Sequence, residues 1–404
     1  VLAFREGSVK KLVVVRGGKL VTANSIESGE ILIKGDTIAS VGKRVDAPKG
    51  SEVLDASGLL VFPGLVDPHV HLREPGGKHK EDFTTGTRAA LAGGFTTVLA
   101  MPNTSPPLTS REALLEAAGL AAGKVMCDVG FFIGATPDNA LEAAEAAKAK
   151  QAVGLKIYMG SSTGNLLVSD LAAQLAHFES YPRVIAIHAE DEEAVGYFEA
   201  RGRHRPPFCA AFALAKALAL AAHSGRRLHV CHVSAASELE LLRAAKARNL
   251  PVTCEVTPHH LFLTEDDEDR LGALGRMNPP LRTAADHDAL WADLKLFDCI
   301  ATDHAPHTLE EKRGPKPPAG VPGLETALPL VLTAFQERGL PLTEIARLMA
   351  LGPAAAFSLE RKGRIEPGRD ADLTLVDPQL LRGQTVFDAG EVLAEPGIGR
   401  VIGV

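Results

Sequence analysis

The 404-residue sequence predicts an α/β fold: a (β/α)8 TIM-like barrel carrying a small β-sandwich domain built from the N- and C-terminal segments. Three observations predict it. Short, near-continuous apolar runs alternate with Ala/Leu-rich stretches of helical period through the middle of the chain, the pattern of parallel strands covered on both faces. There are eight such runs, the number that closes a barrel. Residues able to bind metals or anions stand at the C-terminal ends of these runs, on one rim.

Taken in order, the first ~60 residues read as short strands punctuated by glycine: "KLVVVRGGKLVT", "GEILIKGDTIASVG" and "SEVLDASGLLVFPG". The tail returns to that texture in "GRIEPGRDADLTLVD". Residues 1–62 and 362–404 are therefore expected to form one composite β-rich domain, and residues 63–361 the barrel. The barrel strands are expected in "LLVFPGLVDPHVH", "TTVLAMPN", "MCDVGFFIGA", "AVGLKIYMG", "VIAIHAED", "LHVCHVS", "VTCEVTPHH" and "CIATDHAPH". Helices are expected in "NALEAAEAAKAK" and "SELELLRAAKARN", the latter opened by a capping box from Ser237 to Glu240. An open doubly wound sheet is the competing architecture, but no G-x-G-x-x-G loop follows an early strand. Neither an internal repeat nor a low-complexity linker interrupts the pattern.

The formal net charge of −7 argues against a nucleic-acid partner, because phosphate neutralisation needs a basic face. No signal-peptide pattern opens the sequence, and no apolar run reads as a membrane span. "AAFALAKALALAAHSG" is interrupted by Lys216 and reads as a buried helix. The five cysteines form no C-x-x-C pair, and Cys127, Cys231, Cys254 and Cys299 lie in apolar runs. They read as reduced, mostly buried thiols of a cytoplasmic protein with no membrane partner.

The rim carries the chemistry. Its strand ends hold His69 and His71, Asn103, Lys156, His188, His232 and Asp303. One strand-end histidine is ordinarily a hydrogen-bonded structural residue. Four histidines and an aspartate on one rim would be satisfied together by a metal. Side chains at i and i+2 share a strand face, so His69 and His71 converge on one ion, and Arg73 two residues on can offer its fork to a carboxylate or make a surface ion pair. In "AVGLKIYMG", Leu155 and Ile157 alternate away from Lys156 and send its amine inward. A desolvated neutral lysine can add CO2 and become a carbamate bridging two metals. It can also pair with Asp303 or snorkel to the rim. Asp303 can hold an ion and move a proton. Spacing leaves open whether His304 or His307 reaches the site, and whether His259 and His260 line its mouth or cap a loop. It favours His232 over His229.

The pattern G-L-x-D-x-H-x-H with a strand-end lysine, two separate histidines and a late aspartate resembles the amidohydrolase superfamily of binuclear metal hydrolases. Within it the sequence is similar to the dihydroorotases, through "HVHLREPG", "GGKHKEDF", "AMPNTSPP", "TPHHLFLTEDD", "RMNPPLR" and "DHAPHTLEEK". These marks run from about Gly64 to Glu325 and resemble most the modified-lysine type, including the domain in the multifunctional animal pyrimidine-synthesis polypeptide. Hydantoinases and allantoinases share the metal ligands but usually lack the arginine of H-x-H-x-R and the "PHH" pair.

The resemblance implies two Zn2+ per subunit. His69, His71 and Asp303 would hold the first, His188 and His232 the second, and N6-carboxylated Lys156 would bridge them. It implies that Arg73, Asn103 and His307 grip the substrate carboxylate, that Asn278 helps to bind the pyrimidine ring, and that Gly160–Asn165 is a mobile lid. Cys231 and Glu255 match positions near the metals in the animal-type domain. The implied reaction is the reversible cyclisation of N-carbamoyl-L-aspartate to L-dihydroorotate in pyrimidine biosynthesis, with Asp303 as general acid/base. The alternatives are a dihydropyrimidinase- or allantoinase-type cyclic amidase and a non-catalytic scaffold. A homodimer and an aspartate transcarbamoylase partner are left open. One departure lies in the tail, "TVFDAGEVLAEPGIGRVIGV", which lacks the family's usual Pro-Phe-Glu-Gly segment. It bears on the appended domain, not on the site.

Overall fold

The computed structural model describes residues 12–161, 166–378 and 402–403. An eight-stranded parallel sheet runs in strict sequence order: β1 (Leu65–Val70), β2 (Phe95–Ala100), β3 (Asp128–Gly134), β4 (Ala152–Tyr158), β5 (Ile185–His188), β6 (Leu228–Val230), β7 (Val252–Val256) and β8 (Cys299–Ile300). It closes on itself just past β8. Val70 pairs in parallel with His304, and the His71 N–H donates to the His304 carbonyl at 2.8 Å. The doubly wound alternative would have left two open edges.

Strand alternation divides the apolar residues into two sets. Val98, Phe131, Ile133, Leu155, Ile157, Ile185 and Ile187 face the surrounding helices and belong to the large outer cluster. Leu99, Phe132, Val153, Ala186, Cys231 and Cys299 fill the barrel interior, where Ala356 and Phe357 join them. The apolar filling leaves the opposite, C-terminal rim to polar groups. All five cysteines are buried and free.

Two further sheets form the small domain. One orders Thr37–Gly42, Glu30–Lys34, Leu12–Arg16 and Glu52–Asp55. The other orders Ile402–Gly403, Leu373–Val376, Leu60–Pro63, Lys19–Val21 and Ile26–Ser28. Val15, Ile31 and Ile33 of the first pack with Leu20, Val61, Leu373 and Leu375 of the second, which makes the pair a sandwich. Residues 1–11, 379–401 and 404, including most of the tail that departs from the family pattern, lie outside the described residues.

"LLVFPGLVDPHVH" is therefore two strands and not one, and the chain crosses from sandwich to barrel at Gly64. A Cβ there would lie 2.2 Å from Thr96 Oγ1 and 2.6 Å from Asp372 Cβ, so the crossing has room only for glycine. Overpacking of a close-packed site costs about 1–3 kcal/mol. Gly64→Ala is expected to lower the thermal midpoint, and an unchanged melt would show that the two domains can part there freely.

Two helix expectations need correction. The helix in "SELELLRAAKARN" starts earlier, spanning Ala236–Ala247, so Ser237 lies inside it. The carboxylate that closes its first turn is Glu238, which accepts the N–H groups of Ser234 and Ala235, both at 2.9 Å. The helix in "NALEAAEAAKAK" covers only Ala140–Ala146. Lys148 and Ala149 then bond three residues back, to Glu145 and Ala146, and these tight turns lead the chain into β4. Pro207–Ser224 is, by length and composition, the one helix among the described residues able to cross a membrane. In this fold Ala213, Ala217 and Ala221 belong to the large outer cluster around the barrel, Cys209 packs with Ala194 and Val195, and Lys216 pairs with Asp191 at 2.9 Å.

Candidate active site

At the C-terminal rim, one cavity is lined by His69, His71, Arg73, Asn103, Lys156, His188, His232, Asn278 and Asp303. Every site residue expected from the sequence is there except His307. Three of them sit on strained backbone. Arg73 (φ 60°), His232 (φ 35°) and Asp303 (φ 48°) are non-glycine residues in the left-handed region. Such positions cost about 1–3 kcal/mol each and persist where surrounding structure holds a side chain on target.

The histidines are wired so that, in the neutral form a metal would bind, their cavity nitrogens carry lone pairs. His69 Nδ1 donates to Glu255 at 2.5 Å, His71 Nδ1 to Asn103 Oδ1 at 2.7 Å, and His188 Nε2 to Glu190 at 3.1 Å. These oxygens can only accept, so in the neutral rings the opposite nitrogens are unprotonated. His69 Nε2 and His71 Nε2 lie 3.2 and 3.0 Å from Asp303 Oδ1, and His188 Nδ1 lies 3.0 Å from His232 Nε2. The His69 ring is 5.4 Å from that of His71 and 5.5 Å from that of His232, so the two half-sites adjoin.

The electrostatics call for positive charge. Burial pushes the His69 imidazole down, yet Asp303 and Glu255 outweigh it and hold its pKa up at about 10. Burial likewise opposes ionisation of Asp303, but His69 and His71 keep its carboxyl well below the usual range. His71 is pushed down to about 4 by burial. The donor set is imidazole and carboxylate, which suits first-row divalent ions. His69, His71 and Asp303 offer atoms within 4.8 Å of one another, as do His69, Cys231 and Glu255. The residues fit a metal centre.

Lys156 is wholly buried on β4. Its Nζ donates to Cys231 Sγ at 3.0 Å and lies 5.2 Å from the centre of the Tyr158 ring. Among the described residues no carboxylate comes within ion-pair distance of it, so the pairing with Asp303 does not form. Arg73 is also buried, donates Nε to the Pro306 carbonyl at 3.0 Å, and has Nη2 3.2 Å from His307 Nε2. His307 stands behind Arg73, with Lys80 Nζ 3.1 Å from its Nδ1, and burial pushes its pKa down to about 3.

Neighbouring histidines separate cleanly. His304 is tied to Glu81 at 2.9 Å and accepts the Gly323 N–H at 3.1 Å. His229 bonds Thr253 and Glu255 at 2.8 and 2.9 Å, below the cavity. His260 reaches the Thr257 hydroxyl and the Pro279 carbonyl, whereas His259 lines the cavity. The sequence reading missed Tyr158, a cavity residue whose buried hydroxyl has no hydrogen-bond partner among the described residues, and Glu190. Each lies two residues after a ligand candidate, so the same i, i+2 rule that paired His69 with His71 could have found them. Of the expected lid, Ser162–Asn165 lie outside the described residues.

The amidohydrolase family model matches residues 60–394. The chain belongs to the amidohydrolase family. Amidohydrolases are generally metal-dependent, in keeping with the donor groups on the rim. The chain is 37% identical over 393 residues to the dihydroorotase of Methanosarcina mazei, covering 91% of this chain and 86% of that protein. It is 39% identical over 373 residues to the dihydroorotase of Halobacterium salinarum, covering 87% and 85%. The multifunctional protein CAD of Squalus acanthias is 38% identical over 369 residues, 85% of this chain but only 16% of that much longer protein. Among solved structures, the L-hydantoinase of Arthrobacter aurescens superposes with a TM-score of 0.87 at 31% identity, covering 96% of this chain and 92% of that one.

Proposed function

We propose that this amidohydrolase is a dihydroorotase, interconverting N-carbamoyl-L-aspartate and L-dihydroorotate. The observation that carries the reading is Arg73, a buried guanidinium in the cavity wall with no carboxylate within ion-pair distance among the described residues. A buried cation needs an anion, and a substrate carboxylate supplies it. Dihydroorotate carries one; dihydrouracil, hydantoin and allantoin do not. The curated relatives named dihydroorotase agree, whereas the hydantoinase likeness favours a hydantoin-type ring. Assaying the four compounds decides: turnover of dihydroorotate alone is expected, and preference for dihydrouracil or hydantoin would overturn the reading.

His69, His71 and Asp303, His188 and His232, and a carboxylated Lys156 would hold two Zn2+ ions, whose Lewis acidity would supply carbonyl polarisation and a more acidic water. The chain's own groups do the rest. Arg73, steadied by Pro306 and His307, fixes the substrate carboxylate, and Asn103 adds its amide. Asn278 Oδ1, buried in the wall with no hydrogen-bond partner among the described residues, accepts a ring N–H. In ring opening Asp303 takes a proton from the attacking water and delivers it to the leaving ring nitrogen; in closure it runs the reverse. The long multifunctional relatives support association with a partner enzyme, aspartate transcarbamoylase being the one suggested by the family resemblance.

Arg73→Lys separates grip from chemistry. It should keep the metals and lose the forked contact. A charge-assisted hydrogen bond is worth about 1.5–3 kcal/mol, so kcat/KM should fall at least about tenfold. Unchanged kinetics would make Arg73 a structural residue.

A further inference from the structure

Beyond the ligand candidates lies a buried ionic cluster that the mechanism above does not use. Glu190 is fully buried just after β5 and receives the His188 Nε2–H on Oε2. The same oxygen accepts from Arg205 Nη1 at 2.5 Å, while Arg282 Nη2 stands 4.0 Å from Oε1. Both arginines are buried and fastened to other segments. Arg205 also donates to the Ser161 carbonyl, and Arg282 to the Ser234 hydroxyl at 3.2 Å and the Arg205 carbonyl at 2.5 Å. Arg205 itself is held at φ 37°.

As packing this is a poor arrangement. Among the described residues, Glu190 Oε1, Arg205 Nε and Arg282 Nη2 are buried polar atoms without a hydrogen-bond partner, left with only long ion-pair contacts of 4.0 Å between Oε1 and Nη2 and 3.7 Å from Arg205 Nε to Glu199, and a buried ion cluster is generally matched or bettered in stability by apolar side chains of the same volume. Its geometric product is specific. Two arginines from separate segments converge on one carboxylate, and that carboxylate fixes one face of one histidine.

We infer that Glu190 is the positioning residue of the second metal half-site, holding His188 in the tautomer and ring rotation that present Nδ1, beside His232 Nε2, to a divalent cation. The inference rests on the metal reading given above for His188 and His232. Carboxylates placed in this way on a ligating histidine are typically worth 10–100-fold in metal affinity.

The test titrates Zn2+ into the metal-stripped full chain against a chromophoric chelator. The parent is expected to take up two equivalents; fewer would overturn the binuclear reading, and the inference with it. With Glu190→Gln, one of the two affinities should fall about 10–100-fold and the other stay within about threefold. Were that variant not to fold, Arg282→Gln, which keeps the Glu190–His188 bond but loosens its support, should weaken the same single ion. Parent-like affinity for both ions, or an equal loss at both, would overturn the assignment.

Discussion

Lys156→Ala is expected to yield a folded protein that keeps at most a fraction of its metal and does not turn over dihydroorotate. The amine is wholly buried, with a thiol and an aromatic face as its contacts and no carboxylate within ion-pair distance among the described residues. An ammonium in that setting would cost several kcal/mol and would repel cations held by the flanking histidines. Reaction with CO2, with loss of a proton, would turn the same side chain into an anion with two oxygens to offer the two half-sites. Its removal would then take a ligand from both half-sites. Divalent ions supply several kcal/mol of charge stabilisation, so turnover should fall at least about 1000-fold. Metal content per subunit and turnover, measured on the same sample, check this. A bare amine at Nζ in active, metal-loaded enzyme would rule the carbamate out.

Asp303→Asn is expected to abolish both directions of the reaction by one common factor. The amide keeps the shape of the carboxylate beside His69 and His71, at 3.2 and 3.0 Å, but cannot take up a proton. General acid–base catalysis is worth about 100- to 10,000-fold. Because no catalyst moves the equilibrium, kcat/KM for ring opening and for ring closure must drop together. The metal content of the same sample separates loss of the proton carrier from loss of a ligand. Residual activity within tenfold of the parent would assign the proton to another group, and Tyr158 and His259, which line the same cavity, would be examined first.

The sequence by itself determined the barrel, its sandwich partner and most of the rim. Apolar runs and their helical spacers specify a parallel sheet covered on both faces because burial dictates residue type, and alternation along a strand has only two outcomes. That logic placed Lys156 inward between Leu155 and Ile157, and His69 beside His71. It could not decide features that depend on where the chain leaves the sheet. Cys231 already faces the interior against Lys156, so strict alternation would turn His232 outward; the left-handed backbone at His232 brings it in. The same turn at Asp303 aims its carboxylate between His69 and His71, while His304, its neighbour, ties to Glu81 and Gly323.

Partners far apart in the sequence were equally closed to sequence reasoning. Glu255 reaches His69 across 186 residues, and Arg73 meets His307 across 234, so His307 stands behind the arginine and not in the cavity wall. Composition and spacing limit which groups can reach the rim. Only barrel closure, with Val70 paired to His304, decides which of them meet, because contact there depends on strand register and strand-end turns that no local preference encodes.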